Sequence, residues 1–565
     1  RSSSQMHVER IRNRNGVITT LVRESYRDDG KVRKRTVANI THLPEEIQLS
    51  IARQLKGETQ LPASAFEVVG SRGHGHVQAV IETMKRLDFD RILGPGKGRQ
   101  RELVKALVTA RILEPASKLA TASALENSTL AETLGIRGTT EDALYEAMDW
   151  LVERQPTIEK RLAKRHLEPC GLVLYDLTSS YVEGTECPLA TRGYSRDGKP
   201  HKLQVNFGII TDEMGRPIAV DVYEGRTADP ATVKDQITKV RSAFGLEQVV
   251  FVGDRGMLAQ TVIDDFRDYE GFEWITALKS GSLRKLRAEG DLQLGLFDER
   301  NIFEFTSDLY PDERLVACRN PALAKRRAEK RREMLEATKD ELHKVRQAVE
   351  DGRLFDGGKI GVRVGRVINK YKMAKHFKLD IGDGRLAFEI DNESVREESS
   401  LDGLYVIRTS VPADTIDRDD VVRCYKRLTK VERDFRSMKA SGLEVRPIFH
   451  RTEPRVRAHI FLCMLAQYVQ WHMRHAWREL LFAEEMDATD TRDPVAPARP
   501  SPAVTKKKAR KKTEDGLPVQ SFKGLLRKLA TITKNICRMP SGETFEQTTR
   551  ADALQTRAFE LLKAL

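Results

Sequence analysis

"VVFVGDRGM", residues 249–257, runs four apolar residues and a glycine straight into Asp254, with Arg255 and Gly256 behind it. A second stretch, "GLVLYDLTSSY" at 171–181, does the same with Asp176. Near-continuous apolar runs of this length read as strands of a sheet covered on both faces. In open α/β sheets, ligand sites gather at strand ends, where side chains leave the packed layers. Two carboxylates placed together there repel one another unless a cation lies between them. Hard oxygen donors of this kind suit Mg²⁺ or Mn²⁺. For either aspartate alone, a strand that stops at a turn is the plainer reading. With two of them, the shared site becomes an equal alternative.

Outward from these two strands the pattern is mixed α/β. "KLQVNFGIITD" (202–212) and "PIAVDVYEG" (217–225) are strands joined by a short turn, and "FEWITALK" (272–279) is a fifth. "DPATVKDQITKVRSAFG" (229–245) is a helix with Asp229 as N-cap and Pro230 at the first helical position. "LAQTVIDDFRDYEG" is a second helix. The order β-β-β-α-β-α-β over 167–279 predicts a mixed sheet flanked by helices.

The flanking regions differ in character. Residues 1–43 read as a basic β-hairpin module with Asp29-Gly30 as its turn, and 44–166 as a helical N-terminal domain. Residues 280–415 mix strand-like pieces with one long charged helix (322–350), an expected strand-rich insertion. Helical periodicity returns at 416–483, first as one helix over 417–439 and then over 455–483. Residues 484–518, rich in Pro, Ala, Thr and Asp and containing "KKKARKK", read as a disordered basic linker, and 519–565 as C-terminal helices.

Composition narrows the classes. A chain of 565 residues needs several cores. No run approaches the length of a membrane span, and the first residues lack the apolar core of a secretory signal, so a cytoplasmic protein is expected. Six scattered cysteines show no zinc spacing and read as reduced thiols. The net charge of +13, from 96 basic and 83 acidic residues, suits a polyanionic partner. The run "KRRAEKRR" (325–332) could follow DNA or simply form a solvated face.

In the helix expected over 417–439, Tyr425, Glu432 and Lys439 are spaced by seven and seven, placing them on one stripe with Leu428 and Phe435 between. Spacing alone also describes an ordinary amphipathic helix. In its residues, however, "YKRLTKVERDFRSMK" resembles the C-terminal signature of bacterial insertion-sequence transposases of the DDE class, the branch named for Tyr, Arg, Glu and Lys. Leu428 stands where that signature has its Arg, leaving Arg427, Arg433 or Arg436 for the phosphate-binding role. "LYDLTSSY" and "FVGDRGM" look like the segments that carry the family's two catalytic aspartates. The predicted strand order is likewise that of its RNase H-like core, split by an insertion before the glutamate.

The resemblance implies an enzyme in which Asp176, Asp254 and Glu432 hold two Mg²⁺ ions, with Mn²⁺ able to substitute, and catalyse hydrolysis and transesterification of phosphodiester bonds. Double-stranded DNA, as transposon ends and target, is the implied partner. A homodimer is implied because two ends must be held together, with its interface expected in the helices after 455. Lys439 would neutralise a phosphate and Tyr425 orient one, while an exposed helical lysine and a half-buried tyrosine are the plainer readings. Arg255 and Arg436 would contact DNA, Arg255 being equally suited to pairing with a carboxylate. The ends would be read by residues 7–166. Related enzymes hold a flipped base on an insertion-domain aromatic. Among Phe303, Phe305, Tyr310 and Tyr371 the sequence makes no choice, and Trp274 reads as core. His201 and His459 read as structural. Two other readings share the fold: a domesticated DNA-binding protein without catalysis, and an RNase H-like nuclease without strand transfer.

Overall fold

The structure, a computed structural model, describes residues 5–14, 16–28, 31–58, 66–95, 98–267, 269–293, 297, 301–482 and 512–565. The expected Asp29-Gly30 turn and most of the expected linker, with nearly all of "KKKARKK", lie outside the described residues. The chain forms two compact units. One comprises Arg1–Arg72 and Thr533–Thr549, the other Gly73–Ile532 and Arg550–Leu565.

In the first unit, β1 (Gln5–Arg12), β2 (Ile18–Asp28) and β3 (Lys31–Asn39) form an antiparallel sheet. Its cross-strand pairs are largely ionic. Glu9 accepts from Arg23 at 2.9 Å and from Lys34 at 3.1 Å, and every residue of β3 is exposed. A helix, Glu45–Leu55, follows, and then β4 (Glu67–Gly73), a strand inside the stretch expected to be all helical.

The second unit is built on one sheet of eight strands. These are β5 (Leu172–Val182), β6 (Leu203–Thr211), β7 (Pro217–Glu224), β8 (Val249–Gly253), β9 (Phe272–Ala277), β10 (Ile302–Phe305), β11 (Arg314–Arg319) and β14 (Leu404–Thr409), in the order β10-β11-β14-β9-β8-β5-β6-β7. Pairs β5/β8 and β8/β9 are parallel and the rest antiparallel. Helices Asp229–Thr238 and Gln260–Arg267 separate β7, β8 and β9, so the expected β-β-β-α-β-α-β order of an RNase H-like core is the one observed. Asp229 is the first residue of its helix rather than the cap, which is Ala228, because the Asp229 carboxylate is taken up by Arg196.

Fit within the sheet is tight beside the first aspartate. Tyr175 is fully buried, donates from its hydroxyl to Thr232 Oγ1 at 3.0 Å, and lies across Gly208 of β6. A Cβ at residue 208 would sit 2.2 Å from the Tyr175 Oη, so only glycine fits opposite this ring.

Behind the sheet runs the helix Glu453–Ala476, whose residues are buried almost throughout. It packs against β7 and the helices Arg99–Leu113 and Glu141–Glu153. Its burial on most sides places this helix in the core of the unit. The helices from Gly75 to His166 share that core.

The insertion is not a free-standing domain. Its strands β10, β11 and β14 extend the main sheet beyond β9. The helices Pro321–Glu350 and Gly357–Lys370 and the hairpin β12 (Phe377–Gly382)–β13 (Arg385–Ile390) form a separate cluster, around Leu342, Val345, Ile360 and Val364, and Leu283, Leu286, Phe303, Leu315 and Leu404 form another.

At the C-terminal end, within the stretch 519–565 expected to be helical, the helix Phe522–Ala530 stops at Ala530. The β-branched run Thr531-Ile532-Thr533 turns the chain to extended structure. β15 (Thr533–Arg538) then pairs with β16 (Thr544–Thr548) and β4 in a three-stranded sheet. Among the described residues no helix is long and apolar enough to cross a membrane, and all six cysteines are free thiols.

Candidate active site

Register brings the two aspartates together. β5 and β8 run parallel with Tyr175 opposite Gly253 as their last pair, so the next residue on each chain is Asp176 and Asp254. The expectation that both close a strand holds for Asp254 alone. β5 continues to Val182, because β6 still pairs with it there, and Asp176 sits mid-strand opposite Ile209. Asp176 is half-buried and Asp254 exposed at the head of a turn whose Met257 and Leu258 N–H groups donate to the Asp254 carbonyl.

The electrostatics mark the place. Burial first, and then the negative charges of Asp254 and Glu432, push the Asp176 carboxyl up to about 7. The N–H of Leu177, donating to Asp176 Oδ1 at 2.8 Å, and the Arg196 guanidinium act in the opposite direction. Glu432 therefore lies within electrostatic reach of Asp176, although 256 residues later in sequence.

The helix carrying Glu432 differs from the one expected. It is two helices, Arg418–Lys426 and Leu428–Arg436, meeting at Arg427, followed by a wide π turn at Ser437–Ser441. Leu428, Val431 and Phe435 are buried, leaving Glu432 exposed on the other side. Tyr425, at the end of the first helix, donates its hydroxyl to Asp254 Oδ1 at 3.3 Å. Burial, then the Asp254 charge and this bond, raise the Tyr425 hydroxyl well above the ordinary phenol range.

Lys439 falls in the π turn, and its bonds go to groups other than Asp176, Asp254 and Glu432. Its ammonium donates to Thr178 Oγ1 at 2.6 Å, to the Ser179 carbonyl and to Asp197 Oδ1 at 3.0 Å, and only 9% of the side chain is exposed. Arg446 pairs with the same Asp197 oxygen. Burial lowers the Lys439 pKa. Of the three replacements for the signature Arg, Arg427 pairs with Glu213 at 2.7 Å, Arg433 is half-buried and Arg436 is exposed, while Leu428 is core. Arg255 is exposed and its charge reaches Tyr425.

Arg196, Asp197 and Asp229 were not singled out by the sequence as site residues. Arg196 donates to both Asp229 oxygens at 2.6 and 2.7 Å, and its influence on Asp176 brings this pair to the site's edge. A charged "RD" inside a glycine-flanked loop is the only local signal they leave.

Several other expected residues are now located. His459 is buried with Nε2 at 3.0 Å from the Val445 carbonyl, and His201 is exposed. Trp274 and Phe303 are core, Tyr310 stacks under Arg408, and Tyr371 lies beside Lys370. Most of the run 325–332 is exposed, but Arg331 is bound to both oxygens of Asp402.

Among the described residues, no group of three or more His, Cys, Asp or Glu side chains is drawn in tightly enough to hold a metal ion. The donor chemistry nonetheless fits a hard divalent cation. Burial and then the charges of Asp254 and Glu432 disfavour a charged Asp176, and a cation would relieve both.

Two family models match. That of the transposase DDE domain covers residues 171–468, just over half of the chain, and that of the IS1634 family transposase N-terminal domain covers residues 8–65. No curated protein matches. Among solved structures, a chain of the cryo-EM piggyBac transposase synaptic complex with hairpin DNA is similar over 80% of this chain and 76% of that one, at 9% identity and a TM-score of 0.33.

Proposed function

The chain belongs to the DDE transposases of insertion sequences, and from that premise we propose that it binds its element's terminal inverted repeats, cuts DNA there and joins the freed ends to target DNA. The catalytic residues are Asp176, Asp254 and Glu432. One observation carries this: β5/β8 register sets Asp176 beside Asp254, and Asp176, raised first by burial, also feels the charges of Asp254 and Glu432. An acidic site of this kind has no evident structural use, since burying like charges together costs stability.

These three carboxylates would hold Mg²⁺ or Mn²⁺, which when bound supplies an activated water or DNA hydroxyl and stabilises the leaving oxygen. The chain's own residues do the positioning. Tyr425 fixes the Asp254 carboxylate through its hydroxyl, and the Leu177 N–H fixes that of Asp176. Lys439 clamps β5 two and three residues beyond Asp176, and so acts on the site through the strand. Arg255 and Arg436, both exposed, are the cations offered to DNA phosphates. A homodimer acting on bacterial DNA in the cytoplasm follows from the need to hold two ends.

The test is cleavage of a labelled duplex carrying the element's end, with Mg²⁺ or Mn²⁺, by wild type and Glu432→Gln. Metal-dependent nicking at the end junction is expected, falling at least about 10³-fold in the variant. Binding by the wild type without any nicking would favour a domesticated DNA-binding protein. Nicking without joining to a target plasmid would favour a nuclease.

A further inference from the structure

The chain between β5 and β6 contains "TRGYSRDGKPHK" (191–202), in which Arg192, Arg196, Lys199 and Lys202 surround one aromatic residue, Tyr194. That side chain is 78% exposed. A single tyrosine in solvent is ordinary. Three features of its setting are not.

The loop under it is fixed. Thr191 and Gln204 exchange backbone hydrogen bonds at 3.0 and 2.8 Å. Gly193 lies so close to Gly225 that a Cβ there would be 1.9 Å from the Gly225 carbonyl oxygen. Asp197 is buried against Lys439 and Arg446. The ring thus projects from a backbone that has already lost its freedom, which lowers the entropic cost of binding anything on it.

The ring also has a cation beside it. The Arg196 guanidinium carbon is 5.6 Å from its centroid, at cation–π distance, and Asp229 holds that guanidinium by both oxygens. Lastly, this arginine reaches the carboxylates. Its charge acts on Asp176, and its backbone N–H donates at 2.9 Å to Ser179 Oγ, three residues further along β5. Asp229 and Asp254 flank Gly256, their oxygens 3.9 and 3.8 Å from where a Cβ would stand.

An aromatic face on a positively charged groove is how proteins hold unpaired nucleotides, because every base has a π-face to stack. We propose that Tyr194 stacks on an unpaired DNA base next to the phosphodiester that is cut at Asp176 and Asp254. Arg196 positions the ring and Asp229 positions Arg196. This rests on the transposase reading above and adds a DNA contact outside the insertion.

The experiment uses the full chain in EDTA, so that nothing is cut, and two fluorescent probes. One is a blunt duplex, the other the same duplex with a short single-stranded 3′ thymidine tail and 2-aminopurine at its first unpaired position. The wild type should prefer the tailed probe and quench 2-aminopurine. Tyr194→Ala should lose about tenfold on the tailed probe only. Tyr194→Phe should behave as the wild type. Asp229→Asn should weaken the quenching on the tailed probe, because Arg196 then no longer holds the ring in place. Equal binding of the tailed probe by Tyr194→Ala and wild type overturns the stacking alone. Failure of the wild type to bind either probe overturns the transposase reading and the stacking together.

Discussion

Two carboxylate sites border strand β5, one on the strand at Asp176 and one in the loop after it at Asp197, and they are built on opposite principles. Around Asp197, which is 1% exposed, two cations converge on one oxygen, and Lys439 completes the arrangement with bonds to Thr178 and Ser179. Around Asp176 two further carboxylates act through their charge, and Arg196, whose charge also reaches it, is already committed to Asp229. The first site is balanced within the protein. The second is balanced only when something positive arrives from outside. We read a carboxylate cluster left uncompensated beside one that is compensated as the place where a ligand acts.

The sharpest way to break this contrast is Asp197→Asn. It is nearly isosteric but strands Lys439 and Arg446 without their counter-charge, so a loss of about 3–5 kcal/mol is expected in urea unfolding. Loss of cleavage would then follow from loss of fold. A variant that unfolds like the wild type would mean that Asp197 does not balance these cations.

Asp176→Asn should do the reverse. Asp176 has its carboxyl raised to about 7 in the folded chain, against 3.8 ordinarily, so the folded state binds the proton more tightly. That contribution to stability is complete below about pH 4 and is lost as pH rises toward 7. In metal-free buffer the variant should therefore be more stable than wild type by roughly 1–3 kcal/mol at pH 8. The gain should shrink as pH falls toward 4. Melting curves at pH 5 and 8 check the sign. A variant less stable than wild type at pH 8 would show that neither burial nor the neighbouring charges disfavour a charged Asp176.

Much of the compensated site was hidden in the sequence, and much of the uncompensated one was legible. Asp176 and Asp254 follow apolar runs whose burial on both faces fixes them as strands, and the order of those strands fixes which ends meet. Glu432 was legible through its motif. Lys439 was legible as a residue but not in its direction, because its partner Asp197 lies 242 residues away and the break at Arg427 and the π turn re-aim it. Pairing of β10, β11 and β14 with the main sheet was illegible for a similar reason. These strands carry no local mark of which sheet they join. The helix Glu453–Ala476 shows the same limit, since an apolar surface can serve a core or an interface equally.

The smallest expected effect concerns the one hydrogen bond donated by Tyr425 to the uncompensated cluster. Tyr425→Phe keeps the half-buried ring and removes only the hydroxyl donor to Asp254, a bond that is long at 3.3 Å. A donor to a carboxylate that a cation would also satisfy is partly redundant, so cleavage should fall only about three- to tenfold, equivalent to about 0.6–1.4 kcal/mol. Stability should stay within about 0.5 kcal/mol of wild type. The measurement is single-turnover nicking beside a urea titration. A loss as deep as that of Glu432→Gln would mean that the hydroxyl touches DNA rather than orienting Asp254. The contrast along β5 would then extend to the helix, with Tyr425 joining the groups that wait for a ligand and Lys439 remaining among those already satisfied.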